Sequence, residues 1–203
     1  MRTAIEVTLS KPTRTPEQLE AMAIRIKRSV ERAEATVEAL MTLATSEVGP
    51  AAQEAIDLAT AAEDALDASQ PAIDQRHIKV DAALEPALAR GDRVLLERMI
   101  ANLVDNAVRH NNPGGWIGIR TIQQADNAVL EIANTGPSVP AEQIPTLFEP
   151  FARAKQRLNH SDGVGLGLSI ANAIARAHNA TITGRPRAGG GLEMSVTIPA
   201  RSS

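Results

Sequence analysis

The stretch NLVDNAVRH, Asn102 to His110, sets two asparagines four residues apart inside RVLLERMIANLVDNAVRHN. The rest of that segment has the apolar spacing of an amphipathic helix. Asparagine is a poor helix former, because its short amide competes with the backbone for hydrogen bonds. On a helical wheel Asn102, Asn106 and Arg109 share one stripe, with His110 just beyond Asn106. Leu96, Ile100, Leu103, Val104 and Ala107 share another face, which should pack on a sheet. An amide oxygen is a neutral, hard ligand suited to Mg²⁺, the usual companion of phosphates. An arginine one turn further on can meet a phosphate oxygen. Taken alone, the stripe reads first as a solvated polar face.

Three more stretches have the chemistry of a nucleotide site. In SDGVGLGLSIANAIARAH, Gly163, Gly165 and Gly167 occupy alternate positions and lead into a helix. Glycines let the backbone approach an anion, and a helix N-terminus offers unpaired N–H groups with a favourable dipole. A lone G-x-G-x-G can equally be a tight turn, and this one lacks the Lys-Ser/Thr of a P-loop. In LEIANTGPSVP, Asn134 shares the strand phase of Leu130 and Ile132 and should point inward with them. An amide there can read a base edge, donating and accepting at once, or simply start a turn. Between these, LFEPFARAKQRLNHSDG holds Phe148 and Phe151 followed by Arg153, Lys155 and Arg157. It reads as a basic flap anchored by a phenylalanine pair and able to close over phosphates, or as an ordinary solvated loop.

The elements that must position these residues can be read in outline. TPEQ, Thr15 to Gln18, has the form of a capping box. The helix after it carries Ala23, Ile26, Val30, Ala33, Val37, Leu40 and Ala44, the seam spacing of a coiled coil or bundle. With Met1 to Leu9 as the end of a preceding helix, residues 1–47 are expected to form a helical hairpin. The Gly-Pro in SEVGPAA marks residues 48–54 as a linker. Beyond it the pattern is mixed. AIDL is a strand candidate, 59–75 should be helical with Pro71 kinking or shortening it, and HIKVDAAL should alternate as a strand. Asp92 should cap the asparagine helix. Residues 116–122 and 128–133 should pair through a turn near Asp126-Asn127, and 169–178 should be helical. ATITGRP and GLEMSVTIP should close a hairpin over AGGG, with Leu192, Met194, Val196 and Ile198 on the buried face. Strands and helices mix without strict βαβ alternation, which predicts an α+β, two-layer sandwich of helices on a mixed sheet over residues 55–203.

Composition narrows the classes. The 203 residues are 43% apolar and 22% charged, as in a soluble globular chain. Trp116, Phe148 and Phe151 are the only aromatics, so the core must be aliphatic. No cysteine is present, which excludes disulfides and thiolate metal sites and suits a reducing compartment such as the cytoplasm. A net charge of −3 gives no nucleic-acid signal. No run approaches the roughly 18 apolar residues of a membrane span, and MRTAIEVTLSKP does not read as a signal peptide.

NLVDNA, NTGPS, FEPF and GVGLGLSI stand in this order. Together they resemble the catalytic ATP-binding domain of bacterial sensor histidine kinases, in the superfamily that includes gyrase, the Hsp90 chaperones and MutL. The resemblance covers about residues 55–200, and the seam helix with its neighbour resembles that family's dimerising hairpin. It implies a Bergerat-type fold, ATP and Mg²⁺ as ligands, a response regulator as partner, and a homodimer through the hairpin. It implies that Asn106 holds Mg²⁺ and that Asn102 and Arg109 serve catalysis near metal and phosphates. By the same resemblance His110 lies near the sugar or base, and Asn134 and Gly136 form the adenine box. Arg153 belongs to the flap, and Gly163, Val164, Gly165, Leu166, Gly167 and Leu168 to the lid hinge over the triphosphate.

The sequence departs from the family at three places. Asn134 stands where an aspartate is usual, so the charge is lost while the acceptor is kept. Ser138 replaces a second glycine. The family's phosphoacceptor His-Glu box is absent, since MRTAIEVTL resembles the portion just after it. His77, His110, His160 and His178 all lie off the hairpin. The expected activity is therefore transfer of the γ-phosphate of Mg-ATP to a histidine supplied by a longer parent protein or a partner's phosphoacceptor helix. Two other readings compete: a slow conformational ATPase, slow because Asn102 stands where a water-activating glutamate would be needed, and a non-enzymatic dimerisation and nucleotide-binding module.

Overall fold

The computed structural model describes residues 53–149 and 166–200, together with Thr15, Glu20, Met22, Ala23 and Ile26. The chain divides into two compact units, Met1–Glu38 and Ala39–Ser203. In the first, Glu20, Met22, Ala23 and Ile26 are helical, and the seam positions Ala23 and Ile26 are exposed. The rest of the expected seam lies outside the described residues.

In the second unit the order is β1 (Glu54–Asp57), α1 (Leu58–Gln75), β2 (Lys79–Leu84), β3 (Leu88–Gly91), α2 (Arg93–Arg109), β4 (Trp116–Gln124) and β5 (Asn127–Asn134). Two 3-10 turns follow, Ala141–Gln143 and Pro145–Phe148, then α3 (Gly167–Ala177), β6 (Thr181–Pro186) and β7 (Leu192–Pro199). A five-stranded sheet runs β2-β4-β5-β7-β6, with β2 parallel to β4 and the other neighbours antiparallel. β1 and β3 pair separately, and Ala87 N–H donates to Asp57 while Leu58 N–H donates to Ala87. This is the expected α+β sandwich on a mixed sheet.

Local chemistry explains where α1 and α2 begin. Asp57 caps α1 by accepting from Ala59 N–H, and Asp92 caps α2 by accepting from Leu95 N–H. α1 covers the expected residues and runs through Pro71 to Gln75, so the proline does not shorten it. Pro71 and Asp67, whose carbonyl loses its partner, are both exposed, so water can take over that carbonyl. The helix ends instead where His77 enters the left-handed region at φ 53 and Ile78 N–H reaches back to the Ile73 carbonyl. β3, within EPALARGD, is a strand that the sequence pattern does not announce. β2 does not alternate as expected: it is an edge strand with only Leu84 half-buried.

The core lies between the sheet and α2. Ile117, Ile119 and Thr121 on β4 lie in register with Asn134, Ile132 and Leu130 on β5, and these with Leu192, Met194 and Val196 on β7. All are buried. They meet the seven buried residues of α2, among them Leu96, Met99, Ile100, Leu103 and Val104. Burying one such large aliphatic side chain contributes about 1.5–3 kcal/mol. An asparagine costs a helix at most about 0.7 kcal/mol relative to alanine, so the apolar face easily holds the asparagine stripe in place.

Candidate functional site

The stripe lies where the sequence places it. Asn102, Asn106, Arg109 and His110 are half-buried along the side of α2 that borders the core face. Asn102 is unusual among them. Its Nδ2 is the one buried side-chain nitrogen or oxygen among the described residues that lacks a hydrogen-bond partner. A buried N–H donor left unpaired costs about 1–3 kcal/mol, which makes Asn102 a candidate for a bond to a ligand.

The start of α3 lies against that amide. A Cβ added to Gly167 would fall 3.5 Å from Asn102 Oδ1 and 3.9 Å from the Asn102 carbonyl. That is ordinary van der Waals spacing, so the helix start lies against the amide without Gly167 being sterically required. Leu166 and Leu168 flank it and are buried, so they anchor the helix start in the core rather than offering polar groups. Gly163, Val164, Gly165 and Arg153 lie outside the described residues, as does Phe151. Phe148 is half-buried and packs on the core beside Ile144 and Gly184.

The third component meets the C-terminal end of α2. Gly136 backs onto the His110 carbonyl so closely that a Cβ would be 2.5 Å from that oxygen. Asn134 is buried at 4% exposure, facing inward as its strand phase predicts. Its Nδ2 donates to the Thr135 carbonyl at 2.8 Å, a bond that does not engage Oδ1. The AGGG turn has a role that the sequence does not suggest. A Cβ on Gly191 would strike the Asn134 carbonyl, and one on Gly190 would lie 2.5 Å from the Gly136 carbonyl. The β6–β7 turn therefore backs directly onto the NTGPS loop, and Ser138 pairs with Gly191 there.

Two supports escape sequence reasoning. Arg76 Nη1 donates to the Val108 and Arg109 carbonyls at 3.1 and 2.9 Å, capping the end of α2 with a positive charge. Asn111, Thr135 and Trp116 form a closed network. Thr135 Oγ1 donates to Asn111 Oδ1 at 2.6 Å and accepts from Trp116 N–H at 2.8 Å, while Asn111 Nδ2 donates to the Trp116 carbonyl at 3.1 Å. This network joins the end of α2, the start of β4 and the end of β5, and so holds Asn134 relative to the stripe. Arg109 is paired with Asp105 at 3.0 Å on a partly exposed surface. Exposed pairs one turn apart are worth about 0.3–0.5 kcal/mol, so this pair by itself holds the guanidinium weakly.

Among the described residues no three His, Cys, Asp or Glu side chains gather closely enough to hold a metal ion. A divalent cation at this site would depend on the Asn106 amide oxygen and on oxygens of a bound phosphate chain.

Residues 91–202, more than half of the chain, match the family described as histidine kinase-, DNA gyrase B- and HSP90-like ATPase. The chain belongs to this family. Among sensor-kinase relatives, sensor protein CutS of Streptomyces coelicolor is 44% identical over 200 residues, 98% of this chain and 48% of CutS. The mycobacterial sensor histidine kinase MprB superposes with a TM-score of 0.63 at 27% identity, over 74% of this chain and 99% of that one. The histidine kinase ThkA, solved in complex with response regulator protein TrrA, superposes with a TM-score of 0.75. It covers 98% of this chain and 58% of that one, and at 20% identity it bears on the fold alone. Residues 91–202 thus form an ATPase domain of the histidine kinase-, DNA gyrase B- and HSP90-like family, and CutS and MprB, to which the chain is similar, are sensor kinases. The chain spans less than half the length of CutS.

Proposed function

We propose that the Asn102–Asn106 face of α2 holds Mg-ATP and that the bound γ-phosphoryl group passes to a histidine on a dimerising helix outside these 203 residues. The unpartnered Asn102 Nδ2 beside Gly167 carries this reading, because a buried donor next to a glycine-led helix start suits a phosphate oxygen. Arg109 turns from Asp105 to the phosphates. Asn106 is the protein ligand of Mg²⁺, which when bound offsets negative charge on the phosphate chain. Asn134 accepts from the adenine amino group through Oδ1, since its Nδ2 is held by Thr135. Guanine would set a carbonyl oxygen against that acceptor, so ATP is favoured over GTP. Gly136 and His110 form the wall beside the base and sugar. Arg153 and the segment Gly163, Val164, Gly165, Leu166, Gly167 and Leu168 close over the triphosphate.

Catalysis of this kind is positioning and electrostatics. An imidazole nitrogen forms the new N–P bond as the bridging P–O bond breaks, and ADP leaves with that electron pair. Of the four histidines, the buried His178 and the strand-flanking His77 are poor acceptors, and none falls in the seam. The exposed seam residue Ile26, 40% accessible in the single chain, supports a homodimer through the hairpin. A response regulator is the next acceptor in this scheme; ThkA, which shares the fold, forms a complex with the response regulator TrrA. The scheme places the chain in the cytoplasm, and no helix among the described residues is long and apolar enough to cross a membrane.

The test is calorimetric titration of the intact chain with Mg-ATP and Mg-GTP, then incubation with labelled ATP with and without a hairpin bearing the His-Glu box. Saturable Mg-ATP binding, and label on the added hairpin alone, are expected. Acid-labile phosphohistidine on this chain by itself would overturn the assignment of the acceptor, and no binding at millimolar nucleotide would overturn the site.

A further inference from the structure

His178 is not needed to contact nucleotide, yet its ring joins the two helices that form the site. It is the C-cap of α3, and 6% of its surface is exposed. The helix end is fixed by Asn179 in the left-handed region at φ 52 and by Ala180 N–H donating to the Ala175 carbonyl at 2.8 Å. The ring therefore has little freedom. Its Nδ1 lies 2.8 Å from the Ile174 carbonyl, which can only accept, so Nδ1 carries the proton. Its Nε2 accepts from the Asp92 backbone N–H at 3.0 Å. Asp92 is the N-cap of α2, and its carboxylate is already engaged with Leu95 N–H. Gly91 leaves room for the ring: a Cβ there would lie 2.3 Å from His178 Cδ2 and 2.8 Å from Nε2.

The same two helices meet again at the site, where Gly167 abuts Asn102. Along α2, Asp92 to Asn102 is about 15 Å, and along α3, Gly167 to His178 is about 16 Å, at 1.5 Å rise per residue. The helices thus run antiparallel, joined at one end by His178 and Asp92 and facing each other at the other end across the unpartnered amide. We propose that His178 is a positioning residue for the nucleotide site: its bare Nε2, holding the Asp92 N–H, sets the register of α3 against α2 and so the gap between Gly167 and Asn102. This rests on the Mg-ATP reading of that gap. A slide of about 1 Å at a site of this type can cost about a hundredfold in activity.

The experiment titrates the full chain with Mg-ATP in four forms: unaltered, His178→Gln, His178→Leu and Gly91→Ala. Glutamine offers an acceptor to Asp92 N–H, and leucine fills volume without one. The glutamine variant is expected to bind within about threefold of the unaltered chain and the leucine variant about tenfold more weakly, the effect of one unsatisfied buried donor. Gly91→Ala keeps the histidine but pushes on its ring, and about a tenfold loss is expected there also. Gly91→Ala serves as the test if the leucine variant does not fold. Full-strength binding by the leucine and alanine variants would overturn the proposal. Equal losses for glutamine and leucine would overturn it too, since ring volume and not the acceptor would then be what matters. ¹⁵N shifts of His178 in the nucleotide-free chain give an independent reading: a proton on Nδ1 and a bare Nε2 support the register role, and a proton on Nε2 overturns it. Failure of the unaltered chain to bind Mg-ATP would show in the first titration and would sink the proposed function, leaving the ¹⁵N result to decide the contact between the helices.

Discussion

At the N-cap of α2 the backbone and side chain of Asp92 each have a partner, whereas halfway along the helix one polar group is left open. At Asp92 the side chain caps Leu95, the carbonyl accepts from Leu96, and the backbone N–H meets His178. At Asn102 a buried amide donor has nothing to bond. Both residues are half-buried, one capping the helix and the other within it, and a buried unpaired polar group carries the same cost at either. The difference separates a polar residue that holds the fold from one that the fold leaves unsatisfied, as the proposed nucleotide site requires. Beyond Asn102, Arg76 satisfies the terminal carbonyls, so the open donor is a local exception rather than a frayed end.

That contrast can be broken by substitution. The largest effect is expected for Asn106→Ala, about a hundredfold weaker Mg-ATP binding by calorimetry, about 2.7 kcal/mol, with thermal stability of the free protein nearly unchanged. A large loss of stability would mean that the stripe also holds the fold. Arg76→Ala should do the reverse. It should cost about 1–2 kcal/mol in chemical denaturation, because two carbonyls lose a charged donor in a part-buried setting. Asn102→Leu sharpens the comparison most. Removing the unpaired amide should stabilise the free protein by about 1 kcal/mol while weakening Mg-ATP about tenfold. Destabilisation there would reveal a structural partner and end the distinction between the two positions. The smallest effect belongs to Arg109→Ala, under about 0.5 kcal/mol in stability because its pair with Asp105 is exposed, with about tenfold weaker binding through the lost phosphate contact.

Much of the fold was legible because it is periodic. The α2 wheel separates Leu96, Ile100, Leu103, Val104 and Ala107 from the asparagines, and all five are buried. The alternation of β7 gave its buried face residue by residue, and the phase of β5 turned Asn134 inward. The Asp92 cap follows from local chemistry alone. β3 was not legible: among the described residues its four pair with β1 alone, and they show no pattern beyond one buried alanine and one buried glycine. Pro71 left two outcomes open for a related reason. A proline's cost in a helix depends on which side faces water, and the tertiary fold decides that.

In the site, the motifs named Asn102, Asn106, Asn134, Gly136 and Gly167, since each lies in a short stretch with recognisable chemistry. Their partners were invisible. Arg76 acts on a helix end 32 residues away, Thr135 meets Asn111 across 24, and His178 meets Asp92 across 86. Contacts at such separations leave no spacing to detect. The sequence by itself determined the helix and strand faces, the cap at Asp92 and the phosphate-suited residue types, because backbone geometry turns spacing directly into direction. Only the tertiary structure decided which of those polar groups are satisfied. Satisfaction depends on distance between segments far apart in the chain, and at Asn102 that distance left a buried donor open.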